Sequence, residues 1–144
     1  MGRGRGSLTP VGWRELLELA REFYERARRE FEEAAARGDA LGIRDSSEKA
    51  WNAVVQATNA LVLALAGRLP ASHFERRRLL RELERGRGDV ERLGIADRYT
   101  ARYKVLHGET FYEGIIDLEQ LKVEFEKVRR YIEDVERLLE RAEA

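Results

Sequence analysis

Trp13, Leu17, Ala20, Tyr24, Ala27, Phe31 and Ala34 recur at alternating spacings of four and three, which lays one apolar stripe along a helix face. The pattern predicts a long first helix, opened by Thr9 as a hydroxyl cap with Pro10 at the first helical position, and closed at Gly38. Asp45, with Glu48 three residues on, has the form of a capping box and predicts a second helix over about 46–66. That helix is apolar around most of its circumference, so it should be the central element, and it ends at Gly67. Asn52, Gln56 and Asn59 share one of its faces. We read them as its solvent side; a buried amide row bonding a ligand or a partner helix is the other account.

Ser72 with Glu75 forms a further capping box and opens a shorter third helix, which carries Phe74, Leu79, Leu80 and Leu83 and runs out at Gly86 and Gly88. A fourth helical segment follows over about 95–106, interrupted at Gly108. Gly114, then Asp117 with Gln120, mark the last start. From there Leu118, Leu121, Phe125, Val128, Ile132, Val135 and Leu139 alternate spacings of three and four as a heptad seam. The seam fits antiparallel packing within the chain and a homodimer contact alike. No run alternates as a strand does, so the fold class is all-α: an up-and-down bundle of four to five helices. Residues 1–8 read as a disordered Gly/Arg tail and 9–144 as one bundle domain.

Composition narrows the chemistry. With 38% charged residues and a net charge of zero, the surface interleaves opposite charges, which excludes a globally basic nucleic-acid binder. The absence of Cys excludes disulfides, thiolate zinc sites and a Cys nucleophile, and two His are too few to suggest a metal centre. No cofactor is expected. Abundant Glu and Arg fit a heat-adapted protein. The most apolar run, 50–66, is broken by Asn52, Gln56, Thr58 and Asn59 and falls short of a membrane span. Residues 1–9 lack the apolar core of a signal peptide, so a soluble cytoplasmic protein is expected.

The stretch Leu-His-Gly-Glu-Thr-Phe-Tyr-Glu at 106–113, with Arg102 separated from His107 by four residues, is where an imidazole, a guanidinium and aromatic rings meet. Tyr99, Tyr103, Phe111 and Tyr112 crowd it; beside Arg98 and Arg102 such rings can stack bases, although at least two of the four should pack in the core. Arg76, Arg77, Arg78, Arg81, Arg85 and Arg87 form the densest basic patch. Glu75, Glu82 and Glu84 lie among them at pairing distance, so a self-paired solvated face is expected there rather than a phosphate track. His73, next to the third helix cap, is read as exposed.

Two motifs carry a resemblance. Asp-Ser-Ser-Glu-Lys-Ala-Trp-Asn-Ala-Val-Val-Gln-Ala at 45–57 and the 106–113 stretch, followed by the regular last helix, are similar to the archaeal PaREP family, a branch of the HEPN superfamily, over 41–139. The resemblance implies a HEPN-like bundle of four or five helices that usually dimerises. Many members of the wider superfamily are metal-independent RNases, often toxins paired with an antitoxin, whose Arg-x(4 to 6)-His motif is brought together across a dimer. Others are non-catalytic partners of small nucleotidyltransferases, or nucleotide-binding modules. Carried over, this gives Arg102 and His107 as the catalytic pair and Tyr103, Phe111, Tyr112 and Arg98 as RNA- or nucleotide-binding residues, in a homodimer.

The chemistry is coherent without a metal. RNA cleavage needs a base for the 2′-hydroxyl, an acid for the leaving oxygen and a cation for the crowded phosphorus; His supplies either proton role and Arg the charged fork. Five residues of α-helix set two side chains about 140° apart. Arg102 and His107 therefore converge only if the helix breaks at Gly108, if Arg102 reaches round, or if a second subunit completes the site.

Overall fold

The computed structural model of the chain describes residues 12–143; the Thr9 and Pro10 start and the Gly/Arg tail lie outside them. All elements among these residues are helical: α1 (Trp13–Arg37), α2 (Ala40–Ala66), α3 (His73–Gly86), α4 (Gly88–Leu93), α5 (Ile95–Arg102), a π-helix (Tyr103–Tyr112) continuous with α5, and α6 (Leu118–Glu143). No helix among them is long and apolar enough to cross a membrane.

The expected stripe of α1 is its buried face: Leu17, Ala20, Tyr24, Ala27, Phe31 and Ala34 all face the core. Gly38 ends the helix in the left-handed conformation at φ 64°, which costs a glycine nothing. The chain reverses at once. Asp39 accepts the amide of Gly42 at 3.0 Å, so α2 begins at Ala40 rather than near 46. Gly42 is where α2 closes on α1: a Cβ there would meet that of Ala34 at 2.8 Å. Asp45 and Glu48 therefore lie inside a helix already capped upstream, and the capping-box expectation fails for that reason.

Contacts between elements give the directions. Lys49 reaches Glu30 from α2 to α1 at 2.6 Å, and Arg14 and Arg21 of α1 pair with Glu143 and Glu136 at the opposite end of α6. The α5 and π rod runs back along α2, and α6 descends beside both, its Tyr131 hydroxyl 2.6 Å from that of Thr58. The result is up-down-up-down, with the hairpin of α3 and α4 inserted in the second crossing. Burial holds the Tyr131 hydroxyl protonated well above the usual phenol range. α4 was not anticipated, and its six residues carry one buried side chain, Val90.

The seam of α6 is spent inside the chain. Leu121, Phe125, Val128, Ile132, Val135 and Leu139 are buried, and Phe125 stacks on Phe31 at 4.7 Å between ring centroids; Leu118, at the open end, stays 39% exposed. On α2, Asn52 and Gln56 are half-buried and Asn59 is buried with its Oδ1 unpartnered among the described residues, so that row is not a solvent face. Replacing Phe125 by Ala should lower the unfolding free energy by about 3–5 kcal/mol in a denaturant titration. Leu118→Ala, on the same stripe, should cost far less; an equal loss would mean that Leu118 is covered in solution.

Candidate functional site

One face of α2 is given over to the segment that follows α5. Arg44, Ser47, Glu48 and Trp51 recur at helical spacing and meet it in order. Arg44 donates from Nε and Nη2 to the Phe111 carbonyl at 3.0 and 2.8 Å and from Nη2 to that of Tyr112 at 3.2 Å. The Ser47 hydroxyl donates to the Leu106 carbonyl at 2.8 Å. Glu48 Oε1 lies 2.8 Å from His107 Nδ1. Trp51, buried, packs against Tyr99, Tyr103 and His73.

With its carbonyls held this way the segment adopts the wide π turn instead of breaking at Gly108. The Glu113 amide closes on the Gly108 carbonyl five residues back, and Gly114 at φ 76° ends the rod. In a π-helix four residues fall slightly short of a full turn, so residues four apart stand one above another. Tyr103, His107 and Phe111 form such a column, with centroid separations of 5.2 and 5.9 Å. His73, at the start of α3, stacks on Tyr103 from the other side at 4.0 Å. The chain's two histidines thus sit on one row of rings, one Tyr apart.

Both are held by one nitrogen. His107 Nδ1 faces Glu48, and His73 Nδ1 lies 2.8 Å from the Tyr99 hydroxyl, which also accepts from Arg76 Nε at 2.9 Å. The other nitrogen of each ring, and the Tyr103 hydroxyl, have no partner among the described residues. They are not among the buried unpartnered atoms of the described residues, which are Asn59 Oδ1 and Arg78 Nε, and the three rings are half-buried. The ring faces are occupied by one another; what the row presents outward is a line of polar edges. Burial, then the charges of Arg77 and Arg76, push the His73 imidazole below its ordinary value. The expectation that His73 is exposed is corrected: Trp51, Tyr99 and Tyr103 enclose it.

Arg102 takes no part in this row. Its guanidinium donates to both carboxylate oxygens of Glu124 on α6, at 2.7 and 3.2 Å, and the two residues are 5% and 3% exposed. Arg98 also turns to α6, 3.0 Å from Asp134 and over the Tyr131 ring. Within one subunit Arg102 and His107 therefore have different partners on different helices. Of the other expected binding residues, Tyr103 and Phe111 are half-buried in the row, and Tyr112 is 77% exposed beside its end. Tyr99 is the one fully buried ring of the four.

The basic patch divides. Arg78 pairs with Glu75 and Glu82, and Arg87 with Asp89. Arg77, Arg81 and Arg85 have no acidic partner among the described residues, because Glu75 is also taken by Arg68 and the Ala71 amide, and Glu84 by the Ala96 amide. These three exposed arginines follow His73 at successive four-residue steps, each turning by about 40°, so they form a slanting charged row about 12 Å long from Arg77 to Arg85 at 1.5 Å per residue, which begins one turn beyond the ring row. Sequence reasoning missed Glu48, His73 and this stripe; the shared four-residue spacing was the available signal.

A family model for the archaeal PaREP1/PaREP8 family matches residues 15–132, and the chain belongs to that family. No curated protein and no solved structure matches it.

Removing either partner of the buried pair leaves a charge without compensation. Arg102→Ala or Glu124→Ala should destabilise by about 3–5 kcal/mol, and replacing both by Met and Leu should restore most of that in the same denaturant titration. The lowered His73 value sets a second expectation. The unfolded chain binds the proton more readily, so stability falls as pH drops below 6.5 and levels off beneath the folded-state value. Arg76 and Arg77 on α3, Tyr99 on α5, and Tyr103 and His107 on the π-helix all face this group. The melting temperature of wild type relative to His73→Asn should therefore decrease between about pH 7 and pH 5; a constant difference would contradict the shift.

Proposed function

We propose that this PaREP protein is a HEPN-type, RNA-associated protein that binds single-stranded RNA along the ring row and the arginine stripe of α3. The adjacency of the two features on α3, where Arg77 stands one turn beyond His73, carries the reading. Arg77, Arg81 and Arg85, exposed and without acidic partners among the described residues, supply charge to successive phosphates. Phe111, at the end of the row, and exposed Tyr112 beside it offer the aromatic surface on which an unstacked base can lie.

The net charge of zero does not oppose this, since the stripe's cations are local and Glu75 and Glu82 are paired with Arg78. RNA is favoured over a free nucleotide because the track extends well beyond one phosphate. An Arg102 and His107 pair within one subunit is not favoured, because the guanidinium is committed to Glu124. The reading applies to a single subunit and does not depend on a dimer.

The test is binding of a labelled single-stranded RNA as a function of salt. Replacing Arg77, Arg81 and Arg85 together by Ser should flatten the dependence of log K on log salt by about 2, at roughly 0.7 per phosphate lost. Phe111→Ala should weaken binding by about 1–3 kcal/mol with the salt slope unchanged. RNA binding that is absent, or untouched by the triple replacement, would overturn the reading.

A further inference from the structure

His73 is not part of the motif that singled out His107, and thirty-three residues separate the two. The fold nevertheless sets them on either side of one Tyr ring, each half-buried with Nδ1 engaged and Nε2 without a partner among the described residues. The two are also held differently. Glu48 is an acceptor only, so the proton of a neutral His107 resides on Nδ1 and Nε2 is left with its lone pair. His73 Nδ1 faces the Tyr99 oxygen, which can accept from it as well as from Arg76, so a protonated His73 donates from Nδ1 to the phenol and presents its Nε2 proton outward. One edge of the row is thus a proton acceptor and the other a proton donor.

We propose that His107 and His73 are the base and acid of a metal-independent cleavage of the bound strand, with Glu48 as a positioning residue. The proposal rests on the single-stranded RNA reading above. His107 Nε2 removes the proton of a ribose 2′-hydroxyl; the 2′-oxygen bonds to the adjacent phosphorus; the bond from phosphorus to the 5′-oxygen breaks with its electron pair on oxygen; and that oxygen takes a proton from Nε2 of protonated His73. The products are a 2′,3′-cyclic phosphate and a 5′-hydroxyl end. No oxidant, metal or further reactant enters, and exchange with water resets the two rings. The Tyr103 hydroxyl between them, and the terminal nitrogens of Arg76, which have no partner among the described residues, are the donors at hand for the non-bridging oxygens.

The environment of His73 suits an acid. Burial with Arg77 and Arg76 nearby weakens its hold on the proton, so the imidazolium gives it up readily once formed. Such an acid is charged mainly below neutrality, and the rate should peak on the acidic side of pH 7.

The experiment follows cleavage of a single-stranded RNA in EDTA across pH, alongside binding of the same sequence with 2′-O-methyl riboses, which cannot react. His107→Gln and His73→Asn should each lose about 100-fold or more in cleavage at saturating protein, a loss larger than any change in their affinity for the methylated strand. Glu48→Gln should lower the rate and alter its pH profile. The double variant Arg102→Met with Glu124→Leu should still cleave. A substrate whose leaving 5′-oxygen is replaced by sulfur needs no acid, and it should restore cleavage to His73→Asn but not to His107→Gln; this arm reads His73 even if that variant is partly destabilised. Binding without cleavage by wild type, or cleavage unchanged in His73→Asn, overturns the acid and base pair and leaves the RNA reading standing. Failure to bind the methylated strand removes both.

Discussion

The structure depends on the grip of α2 on the π-helix. A π turn leaves carbonyls poorly aligned, and Arg44 and Ser47 of α2 offset that by donating to three of them. The same face carries Glu48 and Trp51, so the side chains that hold the wide turn also orient its histidine and wall its aromatic row. Backbone geometry and site chemistry have a single cause here, four residues at helical spacing on the central helix. The two motifs that carried the family resemblance are the two sides of this contact.

On the opposite side the rod is fastened by charge. Arg102 and Arg98 leave α5 one turn apart and close on Glu124 and Asp134 of α6. The first pair is nearly dry, a geometry that gives positional specificity more reliably than net stability. The Glu48 and His107 contact is half-exposed. The rod is thus fixed by a buried pair on its α6 side and held by a half-exposed one on its α2 side.

Much of this was legible beforehand. The stripes of α1 and α6 predicted their buried faces except at the first residue of each, Trp13 and Leu118, because an amphipathic helix buries what its period places on one side. The Ser72 cap and the Asp117 start stand where the side chains required, with the Glu75 and Gln120 amides bonded at 3.1 Å. Misreadings arose where a local pattern had a distant competitor. Glu48 looked like part of a cap because the tighter cap at Asp39 depends on Gly42 fitting against Ala34. Arg102 looked free because Glu124 is remote in sequence. Arg78 is self-paired as expected, whereas Arg77, Arg81 and Arg85 only looked so, because the backbone amides of Ala71 and Ala96, which bond two of the carboxylates, carry no sequence signal.

The π-helix has a consequence for how motifs are counted in this chain. A spacing written as a number of residues stands for an angle only once the pitch is known, and the pitch changes at Tyr103. Upstream, four residues overshoot a turn; downstream they fall short of one. Loss or gain of a single residue between Arg102 and Gly114 would therefore not be absorbed as a loop absorbs it. It would swing every ring beyond the change to a new bearing around the rod, so the length of this segment is as much a part of the site as the side chains it carries.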